Sequence, residues 1–295
     1  MSPTVFALPG NESTTEQLIA DLAAARGGIE TRHFPDGESY VRLMTDVVQR
    51  DVVFVCTLDR PDAKLLPLLF AGTTAKELGA KRVGLVVPYL AYMRQDKRFH
   101  PGEALTSRIF ARLVSSTFDW LVTVDPHLHR FADMSELYSS PVEVCHAAKE
   151  VARWIKSTIA NPIIIGPDAE SQQWVSAVAA TVDAPYVTLA KRRLADRQVQ
   201  ITFPNLDAWQ GQTPVLVDDI VSSGRTMVEA TKTLVGLGFL PPVIVAVHGI
   251  FADDANTDLL AAGAARIVTT NSVPHATNAI DISGLLTAAT RKFIS

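Results

Sequence analysis

Short apolar runs rich in β-branched residues alternate along this chain with longer stretches that carry a helical repeat. Residues 4–8 predict a strand and 13–25 a helix. Residues 51–57 form a continuous apolar run, the pattern of a strand buried on both faces. A helical period follows over 62–78, with Gly79 placed to close it. A strand at 83–87, a helix at 103–116 and a strand at 120–124 complete the first half. The order then begins again. Helices are predicted at 143–159, 170–181, 226–237 and near 254–262. Strands are predicted at 163–165, 186–189, 214–217, 243–247 and 265–269. Such alternation predicts α/β architecture, with parallel sheets carrying helices on both faces. We read two doubly wound parallel-sheet domains, 1–140 and 141–295, with similar element order and no low-complexity linker between them. Open sheets of this kind bind ligands beyond the carboxyl ends of their strands, so those positions carry the functional reading.

Composition narrows the class. Of 295 residues, 47% are hydrophobic and 20% charged, which is globular and excludes a disordered chain. The formal net charge of −4 argues against a nucleic-acid partner, which requires a broad basic surface. Two cysteines, Cys56 and Cys145, offer neither a disulfide framework nor a zinc motif. No apolar stretch is long enough to span a bilayer, and the first residues lack the pattern of a secretory leader. The expectation is a soluble, cytoplasmic protein with no membrane partner.

The segment with the most chemistry runs from Pro214 to Thr226. An apolar strand ends in two acids, Asp218 and Asp219. A turn of small residues then opens a helix: Ser222, Ser223, Gly224, Arg225 and Thr226. Such a turn aims several backbone N–H groups at one point, where the helix dipole also favours an anion, so a phosphate fits. The acids suit either vicinal hydroxyls or Mg²⁺ held through water. No Walker A loop is present. Residues 94–98 follow another strand with three cations, Arg94, Lys97 and Arg98, suited to a polyphosphate or simply to solvent. Asp125 and His127 follow a third strand and offer an oxygen and a nitrogen to a metal. Asp168 is one more acid after an apolar run. The 34–38 segment, with Phe34, Asp36, Gly37 and Glu38, reads as an acidic β-turn beside an aromatic. Lys191, Arg192 and Arg193 precede an expected mobile hairpin around 197–203.

The 214–226 segment resembles the phosphoribosyl-diphosphate loop of the type I phosphoribosyltransferase fold. All these segments together, in order and spacing, resemble the ribose-phosphate diphosphokinase family. That resemblance implies two domains of phosphoribosyltransferase type. It also implies a Mg²⁺-dependent enzyme that transfers the diphosphoryl group of ATP to the anomeric hydroxyl of ribose 5-phosphate, releasing AMP. It assigns Phe34, Asp36, Gly37 and Glu38 to ATP, offered across the interface of a homo-oligomer, with Arg94 and Gln95 at the same nucleotide. His127 and Asp168 would serve the metal. Lys191 and Arg193 would be catalytic, and Arg193, Asp218, Asp219 and residues 222–226 would hold the sugar phosphate. The chain departs from the commonest family loop at Ser222, where an acid is usual, and at Arg225, where a small residue is usual. Glu170 and Trp174 also differ from the glycine-rich run common after the acid at 168. The 94–103 stretch is closer to archaeal-type members. Two other readings share parts of this pattern: a phosphoribosyltransferase that consumes the product, and a non-catalytic regulatory subunit.

Overall fold

In the computed structural model the chain forms two compact α/β units, Met1–His146 with Ser283–Ser295, and Ala147–Ile282. The structure describes residues 2–128, 130–168, 171–195, 198–202 and 206–294; the side chains of 173, 190–195, 198–202 and 207 are outside that description. Glu170, singled out in the sequence, and residues 197 and 203 of the expected hairpin lie outside the described residues.

The first unit contains, in chain order, β1 (Thr4–Ala7), α1 (Glu12–Leu22), β2 (Ala25–Gly27), β3 (Ile29–His33), β4 (Ser39–Leu43), β5 (Asp51–Val55), α2 (Asp62–Glu77), β6 (Arg82–Val87), α3 (Thr106–Thr117), β7 (Trp120–Val124) and β8 (Val142–Cys145). Its sheet has the order β2-β1-β5-β6-β7-β8, parallel throughout, and β3 pairs antiparallel with β4 as a separate hairpin. Every residue of β5 and β7 is buried, as the apolar run over 51–57 predicts for β5.

The second unit contains α4 (Ala148–Thr158), β9 (Pro162–Gly166), α5 (Gln172–Val182), β10 (Tyr186–Thr188), β11 (Ala190–Ala195), β12 (Gln198–Thr202), β13 (Thr213–Val221), α6 (Arg225–Gly236), β14 (Val243–Gly249), α7 (Ala255–Ala261), β15 (Arg266–Thr270) and β16 (Asn278–Ile280). Its sheet order is β10-β9-β13-β14-β15-β16, again parallel, with an antiparallel β11–β12 hairpin. The wiring repeats that of the first unit strand for strand, including a hairpin between the second and third strands of the sheet. Strand alternation divides the core between two faces. Ile163, Leu216 and Ile244 pack with Met227, Leu234 and Leu259 of α6 and α7. Ile164, Val215 and Val245 pack with Val151, Ile155 and Val178 of α4 and α5.

The last helix, α8 (Ser283–Arg291), belongs to the first unit, where it packs on α1, β7 and β8. It completes the α1 face as α4 completes the α5 face. Phe293, just beyond it, stacks on Trp120 with ring centroids 4.8 Å apart and planes 5° from parallel. Trp120 lies over its register partner Gly84, where an added Cβ would come within 2.0 Å of the indole. Thr287 and Lys292 add bonds to Asp21 and Glu143, at 3.2 and 2.6 Å.

Several boundaries differ from the sequence expectation. Residues 142–145 form β8 rather than the start of a helix, because Val142 and Val144 pair in parallel with Leu121 and Thr123. Helix α1 stops at Leu22, with Ala23 left-handed at φ 49°, and Ala25 N donates to Pro3 O to begin β2. Sheet pairing here overrides the helix preference of the alanine run. Helix α3 starts at Thr106, since the Glu103 carboxylate closes a local turn by accepting from Phe99 N and His100 N, at 2.7 and 3.0 Å. Strand β13 extends to Val221 and so contains both acids expected beyond its end. The 283–295 stretch, read from sequence with the second half, lies in the first unit.

Replacing Gly84 with Ala should force Trp120 out of its stack. Overpacking of this kind costs about 1–3 kcal/mol, and each kcal/mol lowers the melting temperature by roughly 2–4 °C in a chain of this size. Thermal denaturation followed by tryptophan fluorescence checks it. An unchanged melting temperature would show that the indole is not held as described.

Candidate active site

The candidate residues outside the two hairpins sit where each sheet presents its carboxyl ends. In the second unit, chain direction across the sheet reverses between β9 and β13, the switch point at which open α/β sheets bind ligands. Asp168 follows β9, and Asp218 and Asp219 lie near the end of β13. Asp168 is fixed locally: Ser171 Oγ donates to its carbonyl at 2.7 Å, and Ser171 N to its Oδ1 at 3.3 Å. Gly166 makes room for that serine, since a Cβ there would come within 2.4 Å of Ser171 Oγ. Asp219 N donates to Asp218 Oδ1 at 3.0 Å. Burial, then the negative charges of Asp219 and Asp168, hold the Asp218 carboxyl well above the usual carboxylate range. Two acids that raise the cost of charge on a buried third are suited to a cation or to hydroxyl donors.

The turn after β13 supplies the opposite sign. Gly224, at φ 65°, caps α6 without a side-chain bond. Val221 O accepts from Ile250 N and Phe251 N, and Ser222 O from Ala252 N, so the turn's carbonyls are held by the segment after β14. The N–H groups of Ser222, Ser223 and Gly224, and those of Arg225 and Thr226 at the first turn of α6, have no partner among the described residues. Unsatisfied amides at a helix start form an anion site. The structure therefore brings Asp218, Asp219, Asp168 and residues 222–226 to one end of one sheet.

The equivalent crevice of the first unit opens a cavity of about 290 Å³ beside Leu8, Pro9 and Cys56, but the amides along its loop are taken. Asn11, buried after β1, accepts from Thr57 N at 2.7 Å and donates to Leu8 O and Pro9 O, each at 3.2 Å. Leu58 N donates to Tyr89 O. The loop after β5 thus spends on internal bonds the amides that its counterpart after β13 leaves open.

Candidate residues of the first unit follow β6 and β7 instead. Arg94 is exposed and has no ion pair among the described residues. Gln95 Oε1 accepts from Thr106 Oγ1 at 3.0 Å. Asp96 is buried and pairs with Arg130, a contact the sequence did not reveal because 34 residues separate the two. After β7, Asp125 and His127 both take left-handed backbone, at φ 35° and 46°, an uncommon conformation that recurs at functional sites. The Asp125 carboxylate faces His146, 2.9 Å from Nδ1. That hydrogen bond raises the His146 pKa against the opposing effect of desolvation. His146 has no signal in sequence other than its place after β8.

The 34–38 segment is the tip of the β3–β4 hairpin. Gly37 N donates to Phe34 O and Phe34 N to Glu38 O, while Asp36 Oδ1 accepts from Glu38 N. Gly37 has φ 93°, which the turn requires. Arg32 lies over the rings of Phe34 and Tyr40, 4.6 and 4.2 Å from their centroids, and leaves Phe34 exposed. Among the described residues, no bond joins this tip to the 94–98 segment. The backbones of Lys191 and Arg193 occupy alternate positions of β11, opposite Ile201 and Val199. Their side chains lie outside the described residues. Among the described residues, no group of three or more His, Cys, Asp or Glu forms a ready metal cage, and no helix is long and apolar enough to cross a membrane. Mg²⁺ needs no such cage, since it commonly takes one or two carboxylates together with water and substrate phosphates.

Residues 4–117 match the model of the N-terminal domain of ribose phosphate pyrophosphokinase, and residues 138–271 match the phosphoribosyl transferase domain. The chain is 32% identical over 281 residues to a ribose-phosphate pyrophosphokinase of Sulfolobus acidocaldarius, covering 94% of this chain and 95% of that one. It is 36% identical over 263 residues to a protein of the same description from Methanopyrus kandleri, covering 88% and 87%. Its fold matches the crystal structure of phosphoribosylpyrophosphate synthetase from Mycobacterium smegmatis, with a TM-score of 0.87, 24% identity and 99% of both chains covered.

The raised Asp218 pKa has a measurable consequence. Above the unfolded value of about 3.9, the folded chain binds more protons at this site than the unfolded chain. Stability therefore falls as pH rises from there towards the raised folded value, and stays reduced beyond it. Asp218→Asn should melt higher than the parent at about pH 7 and lose that advantage below about pH 4. Calorimetric melts at the two pH values decide it, and equal melting at both would remove the charge crowding inferred for the site.

Proposed function

The chain belongs to the ribose-phosphate pyrophosphokinase family, and from that premise we propose that it transfers the diphosphoryl group of ATP to the anomeric hydroxyl of ribose 5-phosphate, giving phosphoribosyl diphosphate and AMP. The observation that carries this reading is the pairing of open amides at 222–226 with the acids of β13. The amides take the 5-phosphate, and Asp218 and Asp219 take the ribose hydroxyls. Arg225 places a cation at the first turn of α6 beside the same anion. Arg94 and Gln95 bind ATP, with the guanidinium on phosphate oxygens. The tip bearing Phe34, Asp36, Gly37 and Glu38 presents an exposed ring for the adenine, supplied by a second copy in a homo-oligomer.

Diphosphoryl transfer depends on alignment and charge neutralisation more than on covalent chemistry. Lys191 and Arg193 supply cations on the β11–β12 hairpin for the charge that develops on the transferred group. His127 and Asp168 are the residues proposed to hold Mg²⁺. When bound, the ion neutralises phosphate oxygens and orients the nucleotide. Asp168 fits that task because it already stands in the electrostatic range of Asp218.

An assay of AMP release without any base acceptor tests the reaction. AMP and phosphoribosyl diphosphate should appear in equal amounts, only with ribose 5-phosphate present, and not in EDTA. Lys191→Ala should lower kcat by roughly 10²–10³-fold with little change in substrate affinity. Turnover that needs a base, or none with ribose 5-phosphate, would overturn the reading.

A further inference from the structure

The 94–98 segment carries a buried acid among exposed cations. Arg94, Lys97 and Arg98 are exposed, whereas the side chain of Asp96 is 4% exposed. Arg130 Nη1 lies 2.7 and 2.9 Å from its two carboxylate oxygens. A buried carboxylate held so closely by one guanidinium is not free to serve a metal or a nucleotide. Its place between two loops gives it another use. Asp96 lies on the segment after β6, with Arg94 and Gln95. Arg130 lies on the segment after β7, with Asp125 and His127.

The same segment is held at a second point. Thr106 Oγ1 donates to the Gln95 side chain, and Ser107 N to the Gln95 carbonyl at 3.4 Å, so the start of α3 fixes the neighbour of Arg94. Lys97 lies 4.9 Å from the Phe99 ring centroid, and Arg98 Nε donates to Glu103 O at 2.9 Å. Lys97 and Arg98 are thus engaged within their own loop. Arg94 has no ion pair among the described residues and remains available for an anion.

We propose that the Asp96–Arg130 pair positions Arg94 for the nucleotide by tying the loop after β6 to the loop after β7. The pair touches no substrate. It sets where the Arg94 guanidinium stands relative to the His127 loop, two segments that sequence places far apart. Cutting the tie leaves Arg94 held by Tyr92, whose hydroxyl donates to Asp62, on one side and by Gln95 on the other, with nothing to fix it against the loop after β7, and the cost of that ordering falls on nucleotide binding. The proposal rests on the reading of Arg94 as an ATP-binding residue.

The test is a double-mutant cycle on the full chain with Asp96→Asn, Arg130→Gln and the two combined. A non-hydrolysable ATP analogue is titrated by calorimetry, and steady-state kinetics are run in parallel. Each single variant should weaken analogue binding and raise KM for ATP about tenfold or more. Changes in kcat and in KM for ribose 5-phosphate should stay within about threefold. The double variant should be no worse than the weaker single one, because the tie can be cut only once. Arg130→Lys, which keeps the charge on a shorter side chain, should fall between the parent and Arg130→Gln. It also serves if Arg130→Gln does not fold. Additive losses, equal losses for both substrates, or analogue binding within twofold of the parent in the single variants would each overturn the proposal. A parent chain that binds no analogue would overturn it too. A parent that binds analogue yet releases no AMP would overturn the proposed reaction alone.

Discussion

Everything in this fold depends on one constraint: a parallel sheet must be covered on both faces. Right-handed crossovers in a doubly wound unit put helices on opposite faces on either side of the switch point. In each unit two crossover helices cover one face, and a single crossover helix, α1 or α5, lies on the other. The missing helix comes from elsewhere along the chain. Helix α4 follows the last strand of the first unit and packs in the second. Helix α8 follows the last strand of the second and packs in the first. The Gly84–Trp120–Phe293 stack fixes α8 there: glycine lets the indole lie flat, and the indole gives phenylalanine a surface.

The repeated wiring yields unequal halves. Both sheets have a switch point, and in both the third strand ends in a loop that opens a helix. In the first unit Asn11 satisfies the Thr57 amide, and a backbone bond satisfies Leu58. In the second, Gly224 caps the helix and the amides stay open. The difference between a structural loop and an anion site is where a few N–H groups find their acceptors. The two hairpins are equivalent in the same sense. One presents Phe34 and its acidic turn, and the other carries Lys191 and Arg193, both inserted between the second and third strands of their sheets.

The α/β class and the parallel sheets were legible in the sequence, because buried parallel strands read as apolar runs and their crossovers as helical periods. The acids of β13 and the turn at 222–226 were legible for the same reason, as contiguous residues whose chemistry follows from local geometry. Residues 142–145 were not, because an edge strand of four residues has too little pattern to outweigh the helix that follows it. Its strand character comes from a neighbour, β7, that only the sheet supplies. Helix α8 went unread as a part of the first unit for a related reason: nothing local says which core a terminal helix joins.

Sequence alone therefore determined most of the buried strands and crossover helices, the parallel class, and the candidate residues at strand ends. Each depends on periodicity or on neighbours within a few positions. Tertiary structure alone decided that Asp125 faces His146, that Asp96 belongs to Arg130, and that Asn11 takes an amide of the loop after β5. These are contacts between residues far apart along the chain. A carboxylate's role depends on which partner its burial brings within hydrogen-bonding distance, and that is fixed only when the strands that carry both are set side by side.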